Sequence, residues 1–286
     1  MREDMILEAR GLARRFGRVA AVTSADLEVR AGGITALLGE NGAGKTTTLR
    51  MLLGFLRPQA GSFSCRAGRI GYVPDAPVVF SWARGWDLLE LTARRHGLSD
   101  RRLLAAAESL CGRLAFDPGL LKRRVMTYST GNRKKFAYLQ SLVFSPDLLV
   151  ADEPFSGLDP VSVVRLREIL ITLRKEGASV FLSSHILSEM EKICDAVIIL
   201  RRGRTVFQAD FRRFREGHVF VRAKAGRAVA AFPPGSIFLS RDRGEAVDII
   251  LRKSAWDDYL SRDGTGRDGF TPEPLDLEKL FLFFAD

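Results

Sequence analysis

The sequence predicts an α/β fold organised on a largely parallel sheet, and three stretches of it lead to that reading. Residues 34–38, ITALL, form a short apolar run that opens onto GENGAGKTT at 39–47 and then onto TLRMLLGFL with helical spacing. Residues 148–154, LLVADEP, are a second apolar run that ends in two carboxylates, and residues 178–185, ASVFLSSH, a third that ends in a histidine. Short uninterrupted apolar runs read as strands covered on both faces, the habit of parallel sheets. Alternation of such runs with helix-spaced segments is the βα pattern.

The first stretch carries the most specific chemistry. Strand, glycine loop, then helix is the context of a P-loop, a loop whose backbone N–H groups cradle phosphates. Gly39, Gly42 and Gly44 let the backbone curl toward the phosphate oxygens, which side chains would obstruct. Lys45 supplies positive charge to the β and γ phosphates, and the Thr46 hydroxyl at the helix start suits Mg²⁺, where the helix dipole also favours an anion. The candidate nucleotide contacts are therefore Gly39, Asn41, Gly42, Gly44, Lys45, Thr46 and Thr47, and the expected ligands are ATP and Mg²⁺.

At the end of the second run Asp152 is the expected metal partner, acting through water, and Glu153 is placed to polarise an attacking water as general base. His185, at the end of the third, can reach a γ-phosphate if its strand belongs to the same sheet.

Between these runs, WDLLELTARRHGL and DRRLLAAAESLCGRL have apolar positions three and four apart, so residues 77–136 read as a helical layer. Beyond Asp210 the composition turns arginine-rich and then strand-like in HVFVRA and EAVDIIL, with a Pro-Pro-Gly turn between them and PLDLEKLFLFFAD at the end. The expected organisation is one unit over residues 1–210, with its helical subdomain at about 77–136, and a small α/β accessory unit over 211–286.

Composition narrows the classes. A chain of 286 residues with 46% apolar content can fill a sizeable core, which argues against disorder. Cys65, Cys111 and Cys194 lie far apart without CxxC spacing, so neither a zinc site nor a disulfide framework is indicated. MREDMILEAR lacks the apolar run of a signal peptide, and no stretch approaches the ~20 apolar residues that cross a bilayer. The charge of +10 comes from small basic clusters spread along the chain, which read as solvated helix faces and loop rims.

Taken together, GENGAGKTT, YSTGN at 128–132, ADEP, SGLD at 156–159 and the strand-end histidine, in this order, resemble the ATP-binding subunits of ABC transporters over roughly residues 5 to 210. YSTGN occupies the place of a signature usually written LSGGQ, with Thr130 for its first glycine and Asn132 for its glutamine. The resemblance implies a head-to-tail dimer of two copies, or of two related chains, in which Ser129 and Gly131 of one close over the ATP held by the other. It implies that Asp159 runs along that interface and that Phe16 stacks on adenine. It also places Asp75 of GYVPDAP where the family has a metal- or water-contacting glutamine. The match of Leu277, Glu278 and Phe281 to an LE-x-x-F ending is most like the ABC-2 type exporters; the other reading of this ending is a terminal amphipathic helix that caps the core.

The function so implied is an ATPase on the cytoplasmic face of a membrane, driving export through a separate integral membrane permease. A soluble ABC-type ATPase acting on ribosomes or nucleic acid is the competing expectation. Such proteins usually carry two cassettes or a long coiled-coil insertion, which this chain lacks, and nucleic acid is the less expected partner.

Overall fold

The structure is a computed structural model and describes residues 4–77, 82–224, 232–261 and 269–284. Residues 78–81 of the expected helical stretch and the last two residues of the C-terminal ending lie outside the described residues.

The first part of the chain forms β1 (Met5–Phe16), β2 (Val19–Arg30), β3 (Ile34–Leu38), α1 (Lys45–Leu52), β4 (Ala60–Cys65) and β5 (Ile70–Val73). The helical layer follows as α2 (Gly85–Arg95), α3 (Asp100–Leu114) and α4 (Thr130–Leu142). Then come β6 (Leu148–Asp152), α5 (Pro160–Lys175), β7 (Ser179–Ser184), α6 (Leu187–Ile193), β8 (Ala196–Arg201) and β9 (Arg204–Asp210). The chain ends in α7 (Phe211–Gly217), β10 (His218–Lys224), β11 (Ile237–Asp242), β12 (Ala246–Arg252), α8 (Lys253–Ser261), β13 (Phe270–Glu273) and α9 (Leu277–Leu282). Among the described residues no helix is long and apolar enough to cross a membrane.

Nine strands make one sheet in the order β4-β1-β2-β9-β8-β3-β7-β6-β5. The pairs β8-β3, β3-β7, β7-β6 and β6-β5 are parallel, as the sequence implies. The expectation of a largely parallel sheet needs two amendments: β9 runs antiparallel to β8, and β1 pairs antiparallel with both β2 and β4 to form a wing at one edge. A long hairpin needs only the tight turn at Gly17 between its strands, whereas parallel neighbours need a crossover, and no helical segment separates β1 from β2.

The inner strands are buried on both faces by alternation. Ile34, Ala36 and Leu38 face the side carrying α3–α6, while Leu37 faces the α1 and wing side. On β6, Leu149 and Ala151 face the first side and Leu148 and Val150 the second. Helix α3 has the bounds its apolar spacing predicts. Helix α1 stops at Leu52, followed by Gly54 in the left-handed region, so the helical spacing of TLRMLLGFL outlasts the helix.

The C-terminal strands form a separate four-stranded antiparallel sheet, β11-β12-β10-β13. Val221, Ala223, Ile249 and Leu251 pack under α8 with Trp256 and Tyr259. Phe220 and Ile250, on the opposite face, join the main core together with Phe211, Phe214, Leu277 and Leu280. The Leu277 amide donates to Glu191 on α6 at 3.1 Å, so α9 is fastened to the body of the molecule. Because Leu280 is fully buried in that shared core, Leu280→Ala should lower the stability of the whole chain by about 2–4 kcal/mol, read from denaturant unfolding. An unchanged main transition would mean that the C-terminal part is merely appended.

Candidate functional site

Register gathers the site. Leu38 pairs with Ser184, Asp152 with Ser183 and Val73 with Ala151, so β3, β7, β6 and β5 end level with one another. The segments leaving these four carboxyl ends carry the phosphate loop, His185, Asp152 with Glu153, and Asp75. This is the crevice where open α/β sheets take ligands.

The phosphate loop depends on close backbone approaches. A Cβ on Gly39 would lie 2.5 Å from the Leu200 carbonyl oxygen, and one on Gly44 would lie 2.4 Å from that of Ala21. Gly44 also has φ 101°, a region L side chains avoid. The first intrahelical bond of α1 runs from Thr48 N–H to the Gly44 carbonyl at 2.9 Å. The amides of Lys45, Thr46 and Thr47 precede it and lack helical acceptors, which is what makes a helix start an anion site.

Lys45 is buried and donates to the carbonyls of Gly39 at 2.8 Å and Glu40 at 3.2 Å. Its ammonium also lies 3.4 Å from Glu153 Oε1. The other carboxylate oxygen of Glu153 is 2.9 Å from His185 Nδ1, so one carboxylate joins the phosphate-loop lysine to the strand-end histidine. Glu153 has φ 46°, in the left-handed region. That costs a non-glycine residue about 1–2 kcal/mol. Its amide is fixed by donation to the Ser183 carbonyl at 3.1 Å and to the Ser183 hydroxyl at 3.2 Å. Asp152 is 1% exposed and accepts the Ser183 hydroxyl proton.

The signature segment lies at the start of α4. Ser129 caps the helix by accepting from the Asn132 amide at 3.3 Å, and both Ser129 and Thr130 are exposed. Gly131 packs against the SGLD turn, where an added Cβ would meet the Gly157 oxygen at 3.5 Å. Asp159 caps α5, and the hydroxyl and amide of Ser162 hold its carboxyl below the usual carboxylate range. Phe16 ends β1, 45% exposed, with the Arg14 guanidinium 5.2 Å from its ring centre. Its hairpin reaches the phosphate loop through Val22, whose side chain touches the space beside Gly44.

Comparison with known proteins identifies the family. A family model described as ABC transporter matches residues 22–156. YxlF of Bacillus subtilis, an ABC transporter ATP-binding protein, is 31% identical over 97% of this chain and 98% of its own. The chain belongs to the ABC transporter ATP-binding proteins. An ABC transporter ATP-binding protein of Nostoc sp. is 36% identical over 66% of this chain, and the matched part spans 59% of that relative's length. Among solved structures, an ATP-binding subunit of an ABC transporter superposes with TM-score 0.68 at 28% identity, covering 74% of this chain and 92% of its own.

In this ABC subunit the structure brings together Lys45, Asp152, Glu153, His185 and the approach to Asp75. It sets Ser129 and Gly131 apart, on the exposed start of α4. Two residues near the site escape sequence reasoning. Ser183 holds Asp152 and the Glu153 amide at once. Lys134 is 2% exposed on α4 and donates to the main-chain carbonyls of both Asp75 and Glu153. Burial lowers its affinity for the proton, while the carboxylates of Asp75, Asp152 and Glu153 act the other way. The available signal is spacing, since Lys134, Tyr138 and Ser141 fall on one face of a helix otherwise packed with apolar residues.

Gly44→Ala should collide with β2 and lower nucleotide affinity roughly tenfold or more, with circular dichroism unchanged. Equal binding of a fluorescent ATP analogue by the variant would show that the loop does not need this close approach.

Proposed function

We propose that this chain is the ATP-hydrolysing subunit of an exporter, working on the cytoplasmic face of a membrane with a separate integral membrane permease and closing as a dimer around ATP. The observation that carries the reading is the meeting of Lys45, Glu153 and His185 at the strand ends while Ser129 and Gly131 lie on a separate element, at the start of α4, with Ser129 exposed. A signature that does not serve its own phosphate loop suits the loop of a second copy, identical or related.

The residues fit a bound Mg·ATP. Thr46 and Asp152 offer oxygen donors of the kind Mg²⁺ prefers, and a carboxylate as buried as Asp152 calls for a cation. Mg²⁺ bound there would neutralise charge developing on the β and γ phosphates.

The chain's own groups then divide the work. A triphosphate entering the loop competes with Glu153 for the Lys45 ammonium, and so frees the carboxylate to accept a proton from water. His185 keeps Glu153 oriented through Oε2. Phe16 offers an exposed ring for adenine, and Asp159, by capping α5, stiffens the turn against which Gly131 packs. Asp75 is the candidate link between the metal or attacking water and the helical layer.

For the permease, α2, α3 and the turn after α3 leave an open groove lined by Trp86, Leu104, Cys111, Pro118 and Leu121, rimmed by Arg84 and Lys122. An apolar groove of this kind suits a short amphipathic helix. Residues 1–210 then form the nucleotide-binding unit and 211–286 an accessory unit that shares its core.

Glu153→Gln should trap ATP in a stable dimer on gel filtration, and adding Ser129→Arg should return the protein to monomer. A dimer that survives the second change would place the cross-subunit contact elsewhere. Leu104→Glu should abolish co-purification with a multi-span membrane protein from detergent extracts while the ATP-trapped dimer still forms. Ribosomal or nucleic-acid components co-purifying instead would contradict the transporter assignment.

A further inference from the structure

Helix α4 reaches the hydrolytic site by a route separate from its signature end. Lys134, Tyr138 and Ser141 lie along its buried face, and each donates to backbone at the ends of β5 and β6. Ser141 donates to the Tyr72 carbonyl at 2.7 Å, and Tyr138 points at that of Pro154 at 3.4 Å. Lys134 donates to Pro74 at 3.2 Å, Asp75 at 3.1 Å, Asp152 at 3.2 Å and Glu153 at 2.9 Å. An ammonium has three protons, so four carbonyls share them in a closed cage. The Asp75 carboxylate adds a charge at 3.9 Å.

A buried ammonium is costly unless it is surrounded in this way, and the cage spans two loops that no strand pairing joins beyond Val73 and Ala151. One of those loops holds Glu153 in a conformation that its own backbone disfavours. The Ser183 carbonyl fixes the amide of Glu153, and Lys134 fixes its carbonyl.

We propose that Lys134 is a positioning residue of the hydrolytic site: it pins the left-handed Glu153 to the Asp75 loop and ties both to the helix whose exposed end is the signature. Asp75 stands where the resemblance expects an uncharged glutamine, and Lys134 lies beside it. The ammonium offsets the extra carboxylate, and the two together carry displacement of α4 to Glu153. The proposal rests on the ATPase reading above.

Lys134→Met removes all the donors while keeping the chain's bulk, and Lys134→Gln restores part of them. Turnover should fall roughly tenfold or more in Lys134→Met, with ATP affinity changed by less than about twofold, and Lys134→Gln should fall between that variant and the native chain. In a Glu153→Gln background the residual rate should be the same with or without Lys134→Met, because the lysine acts through Glu153.

Without nucleotide, hydrogen exchange at residues 74–76 and 152–155 should rise in Lys134→Met while the phosphate loop stays protected. Unchanged exchange in those loops, an equal loss of rate in the Glu153→Gln background, or native turnover in both lysine variants would overturn the proposal. If the native chain binds ATP without hydrolysing it, the ATPase reading fails instead. The exchange measurement then still decides whether Lys134 holds the two loops.

Discussion

The structure depends on the level, in-register ending of four parallel strands. β3, β7, β6 and β5 are short strands that end level with one another, and each releases one chemically active turn at the same edge. A slip of one residue in any pairing would exchange the two buried faces. It would also move a lysine, a carboxylate or a histidine by about 3.3 Å, enough to break the contacts at Glu153. The two apolar layers that clamp the sheet from opposite sides hold this register, and the antiparallel wing supports the phosphate loop and carries Phe16 at the end of β1.

Glu153 is where the strands' precision is used. It is the only non-glycine residue with positive φ among those the sequence marks for chemistry, and its main-chain and side-chain groups are held from different elements: β7 through Ser183, the phosphate loop through Lys45, the start of α6 through His185, and α4 through Lys134. A group so enclosed can be switched by altering any one of its holders. On the function and inference proposed above, nucleotide at the phosphate loop would act through Lys45, and movement of α4 through Lys134.

Much of this was legible in the sequence because the information is local. Fully buried strands read as apolar runs, the glycine loop is readable from its own residues, and α3 repeats its apolar positions at helical spacing from end to end. The wing was not legible, because β1 and β2 mix basic and small residues and β4 is largely exposed, so neither face is marked by continuous apolarity. The cage around Lys134 was equally hidden. Its acceptors are carbonyls, which every residue carries, brought together from segments some 60 and 18 positions away. The C-terminal ending reads as an appended unit for a related reason. Its last helix reads either as part of an accessory unit or as a cap on the core, and Leu277 and Leu280 do join the main core; that Phe220 and Ile250 of the second sheet join it too was not legible.

The proposed function requires one ATP to be enclosed between the phosphate loop of one copy and the YSTGN segment of another. Mixing a chain carrying Asn41→Cys with a chain carrying Ser129→Cys, then oxidising with and without ATP under conditions that block hydrolysis, tests this directly. The account predicts a disulfide-linked dimer that forms between the two variants only when ATP is present. Cross-linking that is equal without ATP, or that fails between the variants while each still binds nucleotide, would contradict it.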